Sequence, residues 1–241
     1  MSAEAAPRYS VVVPVFHEAE TIGPFCRAVR DAFPPGYELL VCYDTAEDRT
    51  LPALAALPPA EKPPVVRLVH NTLGQGVRWA IEAGMRAAPG PVVIVTMVDL
   101  SDDYRIVEAM VARAEAGAAV VCPSRYMPGG QQIGGPRLKG MLSRLAGLSL
   151  HGLAGLPTRD PTNSFKAYRS DFLERTPIES EAGFSLGLEL TVKAHFAGLR
   201  VEEIPATWRD RTAGESRFRL AAWLPLYLRW YAWALRKRWL G

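Results

Sequence analysis

Two hydrophobic patterns alternate along the first half of the chain. Runs rich in β-branched residues predict buried strands, and stretches with apolar side chains at helical spacing predict helices. The predicted strands are residues 9–15, 37–43, 65–69, 92–96 and 118–122. The predicted helices are residues 18–33, 48–57, 74–88 and 104–116. Strands that alternate with helices of this length predict an α/β fold, with a parallel sheet that carries helices on both faces.

The pattern becomes less regular after the fifth predicted strand. Residues 127–135 are rich in glycine and predict a mobile loop. Helical spacing returns over residues 138–156 and 184–197, and residues 200–208 predict a further strand. No internal repeat or low-complexity linker interrupts the chain, so we predict one domain over residues 1–241.

The end of the chain predicts an amphipathic helix over residues 217–240. One face is aromatic, and the other carries basic side chains. The two sets are Trp223, Tyr227, Trp230, Tyr231 and Ala234 on the first face, and Arg229, Arg236 and Lys237 on the second. Such a helix could lie on an anionic membrane surface. Alternatively, the aromatic face packs against the body of the protein or a partner subunit.

Composition narrows the class of protein. The 241 residues are 49% hydrophobic and 22% charged, which is typical of a globular chain. The net charge of +3 is too small to indicate a nucleic-acid partner. The three cysteines lack metal-site spacing, so we expect them to be reduced and buried. Neither a signal peptide nor an apolar run long enough to span a membrane is evident, which predicts a cytoplasmic protein.

Polar residues follow each predicted strand of the first half. Right-handed crossovers place the carboxyl ends of parallel strands at one edge of the sheet, where such sheets bind their ligands. The loops at His17, Asp44, residues 71–76 and Asp99 are therefore expected to converge.

The acidic loop MVDLSDD, residues 97–103, comes directly after the fourth predicted strand. Carboxylates at this edge suit a hard divalent cation such as Mg²⁺ or Mn²⁺, which can in turn hold a diphosphate. The alternative is structural, with Ser101 or Asp102 capping the following helix.

Three further loops carry candidate ligands. Glu18 lies at a predicted helix start, where it could cap the helix or contact a ligand. Asp44 could recognise a base or ribose, or could be a turn residue. Gly74 and Gly76 open the next helix and would allow close approach of a phosphate. Trp79 occupies the position of the third glycine of a dinucleotide fingerprint, which excludes a nicotinamide dehydrogenase.

Seven segments in order carry a resemblance to a known family. They read PVFHEAETI, YDTAEDRT, NTLGQG, MVDLSDD, SRYMPGG, RDPTNSFKAYR and DRTAGESRF. In this order they resemble the inverting family 2 glycosyltransferases, in particular the branch of dolichyl- and polyprenyl-phosphate mannosyl- and glucosyltransferases. The resemblance extends over residues 9–218.

The resemblance also implies an architecture. The family has the GT-A fold, a Rossmann-like, mostly parallel sheet with helices on both faces, here followed by the amphipathic C-terminal helix. Residues 1–124 would form the nucleotide-binding half, residues 125–216 the acceptor-side half, and residues 217–241 the helix.

The donor and metal roles follow from matching motif positions. Asp99 matches the second acid of the DxD motif and would bind the metal with Ser101 or Asp102. Met97 stands where the first acid is usual, which implies weaker or differently built metal coordination. The residues that would bind the nucleotide sugar are Pro14, Phe16, Glu18, Asp44, Gly74, Gly76, Asp99 and Ser216.

Three residues would act on the acceptor side. Arg125 suits an anion, since the guanidinium fork matches phosphate oxygens, although a strand-end salt bridge is the structural alternative. Asp160 would orient the acceptor or act as a general base. Arg211, like Ser216, matches the loop that the family closes over its active site.

The implied activity is metal-dependent transfer of a hexose from GDP-mannose or UDP-glucose to a polyprenyl phosphate, with Mg²⁺ or Mn²⁺ as cofactor. A polysaccharide or small acceptor is an alternative. Met97 keeps open a non-catalytic nucleotide-sugar-binding protein. A polyprenyl acceptor would also imply peripheral membrane contact or a membrane-protein partner.

Overall fold

A seven-stranded, mostly parallel sheet forms the centre of the protein in the computed structural model, which describes residues 6–210 and 220–241. The strand order is β3-β2-β1-β4-β7-β5-β8, and β7 alone runs antiparallel to its neighbours among these strands. A separate two-stranded sheet pairs β6 with β9. The strands are β1 (Tyr9–Pro14), β2 (Tyr37–Tyr43), β3 (Val66–His70), β4 (Val92–Val95), β5 (Val120–Ser124), β6 (Gln131–Ile133), β7 (Lys166–Arg169), β8 (Val201–Pro205) and β9 (Thr207–Arg209).

Helices cover both faces of the sheet. The helices are α1 (Ile22–Ala32), α2 (Thr50–Ala56), α3 (Val77–Ala87), α4 (Val107–Glu115), α5 (Arg137–Ala154), α6 (Ser170–Arg175), α7 (Ser185–Phe196) and α8 (Leu220–Leu240). Side chains of α1 and α4 share one core cluster with Val11 and Val13, whereas α3 and α7 share another with Val12. Successive residues of a strand point to opposite faces, so one strand feeds both cores. The predicted α/β fold class is confirmed.

Several predicted boundaries differ for local reasons. The first helix begins at Ile22 rather than residue 18, because the amides of Thr21 and Ile22 both donate to the Glu18 carbonyl in a turn. The predicted strand over residues 200–208 is two strands, since the Ala206 amide bonds to the end of β5 and β9 turns away to pair with β6.

Three elements, β6, β7 and α6, were not predicted. Residues 127–135, expected to be a mobile loop, contain β6. β7 was not predicted either, because its sequence KAYR begins and ends with a basic residue. Lys166 is nevertheless fully buried, and its ammonium group donates to backbone carbonyls of the preceding turn. Burial lowers the pKa of Lys166 from its ordinary value.

The C-terminal helix α8 packs its aromatic face against the protein. Trp230 and Ala234 are buried against side chains of α5 and α7. The Trp230 indole also donates to the Ser180 hydroxyl at 2.9 Å. Packing on the body of the protein, one of the two interpretations of the aromatic stripe, is therefore what the structure shows for these residues. Within residues 6–210 and 220–241, no helix combines the length and the apolar character needed to span a membrane.

Helix α5 approaches the backbone of the segment after it at Gly147. A Cβ atom at this position would overlap the Arg159 carbonyl group, whereas one at Gly152 on the same helix would meet open space. We expect Gly147→Ala to lower the free energy of unfolding by about 1–3 kcal/mol, because the helix must move off the segment. Gly152→Ala should raise it by up to about 1 kcal/mol through helix propensity. Urea denaturation of both variants checks the pair, and equal effects would contradict this packing.

Candidate active site

A cavity with a volume of about 950 Å³ opens at the carboxyl edge of the parallel strands. The loops after β1, β2 and β4 and the start of α3 meet there. His17, Asp44, Gly76 and Asp99 all line it. The predicted convergence of these loops is therefore confirmed.

The loop after β1 supplies Pro14, Phe16 and Glu18 to the cavity wall. Phe16 is 46% exposed, and its ring packs against that of His17. His17 has a positive φ of 57°, and the amides of this loop are held from outside it. The His17 amide donates to the Asp48 carboxylate at 2.9 Å, and the Glu18 amide donates to the hydroxyl of Thr50 at the start of α2. The loop conformation is thus built before any ligand arrives.

Asp44 ties the end of β2 to the start of α3. Its carboxylate accepts from the Asn71 side chain and from the Gly76 amide, each at 2.7 Å. Gly76 lines the cavity and has a φ of 102°, a conformation that favours glycine. Gly74 does not line the cavity, because it packs against the Trp79 ring. Its glycine identity is explained by that packing, and a phosphate role for Gly74 has no support from the geometry.

Asp99 and Asp102 of the acidic loop line the cavity side by side with Met97. The Asp99 carboxylate accepts from the Ser101 amide at 3.1 Å, and that of Asp102 accepts from the Thr96 hydroxyl at 2.8 Å. Burial, followed by the Asp99 charge, raises the pKa of Asp102 to about 7. Neither Ser101 nor Asp102 caps a helix, since the next two helical segments begin after Asp103 and Ile106. The capping interpretation is wrong.

Ser101 stands apart from its neighbours in this loop. Its side chain is buried and does not line the cavity. Its amide bonds to Asp99, and its carbonyl accepts from the Arg209 amide of β9. The Ser101 hydroxyl is buried without a hydrogen-bond partner among the described residues, and its backbone bonds on both sides hold the loop. The predicted metal role of Ser101 stays a prediction.

The remaining carboxylates fit an open cation site. Two acidic groups whose proximity raises a pKa would be stabilised by a cation between them. Within the described residues, no group of three or more His, Cys, Asp or Glu side chains is arranged to hold a metal. Mg²⁺ is commonly bound by one or two carboxylates and completed by substrate phosphates. Asp99 and Asp102 could supply the two carboxylates of such a site.

Arg125 lines the same cavity and forms a buried ion pair with Asp160. The two groups meet in a fork, with Nε to Oδ2 at 2.6 Å and Nη2 to Oδ1 at 2.7 Å. Burial alone would lower the pKa of Arg125, but the Asp160 carboxylate raises it well above its ordinary value. Arg125 lines the cavity, and its Nη2 also donates to Ser143 on α5. Arg125 therefore forms the predicted salt bridge and also lines the cavity, where it could face an anion.

Asp160 is fully buried and does not line the cavity. Both of its carboxylate oxygens accept hydrogen bonds from Arg125. A general base must reach the proton that it removes. Asp160 is therefore placed to hold Arg125 rather than to reach the acceptor itself, and its role in the reaction stays a prediction.

Sequence reasoning missed Lys139, Ser143, Trp208 and Asp210, which also line the cavity. Lys139 and Ser143 are four residues apart on α5 and so share one face of the helix. Leucines on several faces of the segment PRLKGMLSRL concealed which face points inward. The i, i+4 spacing of Lys139 and Ser143 was the available signal. Arg211 and Ser216 lie outside the described residues, and their roles stay predictions.

A mostly parallel sheet with a cavity at the carboxyl edge of its strands is the arrangement in which open α/β proteins bind their ligands. Residues 10–176 match the sequence profile of the family described as Glycosyl transferase family 2. The chain therefore belongs to glycosyltransferase family 2, and the protein is a glycosyltransferase.

Two relatives are similar over most of the chain. An undecaprenyl-phosphate mannosyltransferase of Micrococcus luteus is 28% identical over 240 residues, which cover 97% of this chain and 97% of the relative. A dolichol-phosphate mannosyltransferase of Pyrococcus furiosus is 26% identical over 217 residues. That match covers 88% of this chain but 59% of the relative, so the chain spans about three fifths of the archaeal protein.

Solved structures share the fold. A glucosyl-3-phosphoglycerate synthase from Mycobacterium tuberculosis, in complex with Mn²⁺, UDP and its product, superimposes with a TM-score of 0.67. The identity is 18%, and the match covers 98% of this chain and 82% of that one. The likeness confirms the GT-A fold.

The buried pair predicts a large stability effect. Asp160→Ala should lower the free energy of unfolding by about 3–5 kcal/mol, because it leaves the Arg125 charge buried without a partner. Asp171→Ala is a matched control, since its carboxylate pairs with Arg169 and is 43% exposed. The control should cost less than about 1 kcal/mol. Urea denaturation measures both, and similar losses would contradict the role of the pair.

The raised pKa of Asp102 predicts a pH effect on stability. Between about pH 4 and pH 7, folded Asp102 retains a proton that the unfolded chain has lost. Stability should therefore fall as the pH rises across this range. Asp102→Asn cannot titrate, so its free energy of unfolding relative to the parent protein should increase between pH 4 and pH 7 in metal-free buffer. A difference that is constant with pH would show that the Asp102 pKa is not raised.

Proposed function

We propose that this glycosyltransferase transfers a hexose from a nucleotide-sugar donor to the phosphate of a polyprenyl phosphate, with inversion at the anomeric carbon. The observation that carries the proposal is the charge distribution of the cavity. Asp99 and Asp102 form an acidic wall, and Arg125 and Lys139 line the same cavity as a basic wall. The names of the bacterial and archaeal relatives support this acceptor class.

The acidic wall is the proposed donor site. Asp99 and Asp102 would hold Mg²⁺ or Mn²⁺, which would neutralise charge on the leaving diphosphate. Phe16 and Glu18 would contact the nucleoside, and Asp44 keeps the start of α3 in place beside it. GDP-mannose and UDP-glucose are the donors to test first, and the mannosyltransferase relatives favour mannose.

The basic wall is the proposed acceptor site. Arg125, Lys139 and Ser143 line one part of the cavity and together suit the oxygens of a phosphate monoester. Apolar side chains beside them would contact the first prenyl units of the acceptor. These side chains are Leu142, Ala146, Phe184, Trp223, Leu224 and Tyr227.

The charge distribution supports a mechanism that depends on positioning. An acceptor phosphate oxygen would attack the anomeric carbon from the face opposite the nucleoside diphosphate. The new C–O bond forms as the bond to the diphosphate breaks, and the nucleoside diphosphate leaves with the electron pair. Arg125 would orient the attacking phosphate and screen its charge from the donor. A phosphate monoester is already ionised at neutral pH, so this reaction needs no strong base, in agreement with the burial of Asp160.

Transfer itself is the first test. The purified protein with Mn²⁺ and radiolabelled GDP-mannose or UDP-glucose should label a short-chain prenyl phosphate, and a prenyl alcohol of equal length should remain unlabelled. Labelling of the alcohol, or no labelling of the phosphate from any donor in a broad panel, would contradict the proposed function.

Metal-dependent donor binding is the second test. Asp99→Asn should weaken binding of a nucleoside diphosphate in the presence of Mn²⁺ by more than about tenfold, since even indirect changes around a metal cost 10–100-fold. Asp31→Asn changes an exposed carboxylate on α1 and should leave binding unchanged. Calorimetry with and without Mn²⁺ separates metal-dependent from metal-independent affinity. Equal affinity of the Asp99 variant and the parent protein would remove the proposed metal role.

A further inference from the structure

A second cavity lies beside the first and is open to solvent. This cleft has a volume of about 780 Å³ and lies between α5 and the segment that contains β6. Arg125, Gln132 and Gly140 line both cavities, so they form the wall between them. The wall is held in part by the Tyr126 hydroxyl, which donates to Gln132 Oε1 at 3.1 Å.

The cleft is basic, and two of its arginines form no ion pair among the described residues. Arg137, Arg144 and Arg159 line it, and no carboxylate does so in the described ranges. Arg159 pairs with Glu203 at 2.9 Å. Among the residues whose placement is described, neither Arg137 nor Arg144 lies within ion-pair distance of a carboxylate, and both are exposed. The cleft therefore has a net positive charge available to an anionic ligand.

The arginines alternate with apolar side chains along one face of α5. Arg137, Met141, Arg144 and Leu148 follow one another at intervals of three or four residues, so they form a single stripe. Met141 is apolar, yet 53% of its surface is exposed. A guanidinium every second turn with a methionine or leucine between suits a surface on which phosphates and hydrocarbon lie side by side.

The apolar surface extends beyond the cleft. Leu138 and Leu145 lie on the adjacent stripe of α5 and are each 57% exposed. On the neighbouring helix α8, Leu224 and Leu228 are also exposed. Apolar surface concentrated in this way marks an interaction site rather than ordinary surface composition.

We propose that the cleft binds the phosphate headgroup of an anionic phospholipid, and that the leucines of α5 lie on the lipid surface beside it. A free phosphate ion would use the arginines but not the exposed leucines. The acceptor phosphate has its own proposed site on the other side of Arg125. The inference rests on the proposed function, since an acceptor with a long prenyl chain lies in a membrane and the cleft would hold the enzyme beside it.

Vesicle binding of the full chain tests the proposal. Each basic residue near an anionic surface contributes roughly fivefold in affinity. The variant R137Q/R144Q should therefore bind phosphatidylglycerol vesicles roughly 25-fold more weakly than the parent protein in a flotation assay. The control R30Q/R67Q removes the same charge from α1 and from β3, which lies at the opposite end of the sheet from β8, and should bind as the parent does. Equal loss in both double variants, or none in either, overturns the proposal.

Two further arms identify the ligand. Leu138→Ser with Leu145→Ser should weaken binding to phosphatidylglycerol vesicles although no charge changes. Calorimetric titration with inorganic phosphate should give no saturation at millimolar concentrations, and saturable binding that requires Arg137 would assign the cleft to a free anion and overturn the lipid. Melting temperatures of all variants show that each one is folded.

The outcome is separable from that of the proposed function. R137Q/R144Q should transfer sugar to a water-soluble, short-chain prenyl phosphate at the parent rate, because neither arginine lines the main cavity. Normal transfer with unchanged vesicle binding in this variant would refute the lipid site alone. Absent transfer in a parent protein that binds vesicles through Arg137 and Arg144 would refute the proposed acceptor chemistry alone.

Discussion

The buried ion pair between Arg125 and Asp160 is the interaction on which the rest of the site depends. A charge removed from water is tolerated only with a well-placed partner, and here the carboxylate accepts both from the guanidinium and from the Arg125 amide. The pair joins the segment after β5 to the turn before β7, and the bond from Arg125 to Ser143 adds α5. One arginine is thereby fixed in the wall between the two cavities.

The ion pair places a basic group in the same cavity as the acidic loop. The acidic loop after β4 and the arginine after β5 come from strands that are separated by the antiparallel β7. Both loops line one cavity, so a cation with a diphosphate and an acceptor phosphate would be held close together at neighbouring groups of opposite charge. Bringing two anionic substrates together is the physical problem that this layout addresses. Burial and the Asp99 charge raise the pKa of Asp102, so the acidic loop is the place where a cation would stabilise the ionised carboxylates.

Periodicity predicted the sheet, its helices and the edge at which the polar loops meet, because burial imposes a repeat that is visible along the chain. It did not predict β7, since Lys166 is buried through hydrogen bonds to carbonyl groups and not through apolar character. The details of the loops were also not predicted, because they do not depend on a repeat of apolar residues. Asp99 and Asp102 were found by charge, but the burial of Ser101 beside β9 and the packing of Gly74 on the Trp79 ring depend on contacts that no periodic pattern reveals. Lys139 and Ser143 were missed because the inner face of α5 is set by its neighbours.

A crystal structure of the protein with Mn²⁺, a nucleoside diphosphate and a short-chain prenyl phosphate tests the central claim most directly. The account predicts that Asp99 and Asp102 ligate the metal, that the diphosphate completes its coordination, and that the prenyl phosphate contacts Arg125 and Lys139. A diphosphate bound against Arg125, with no metal at the acidic loop, would contradict it.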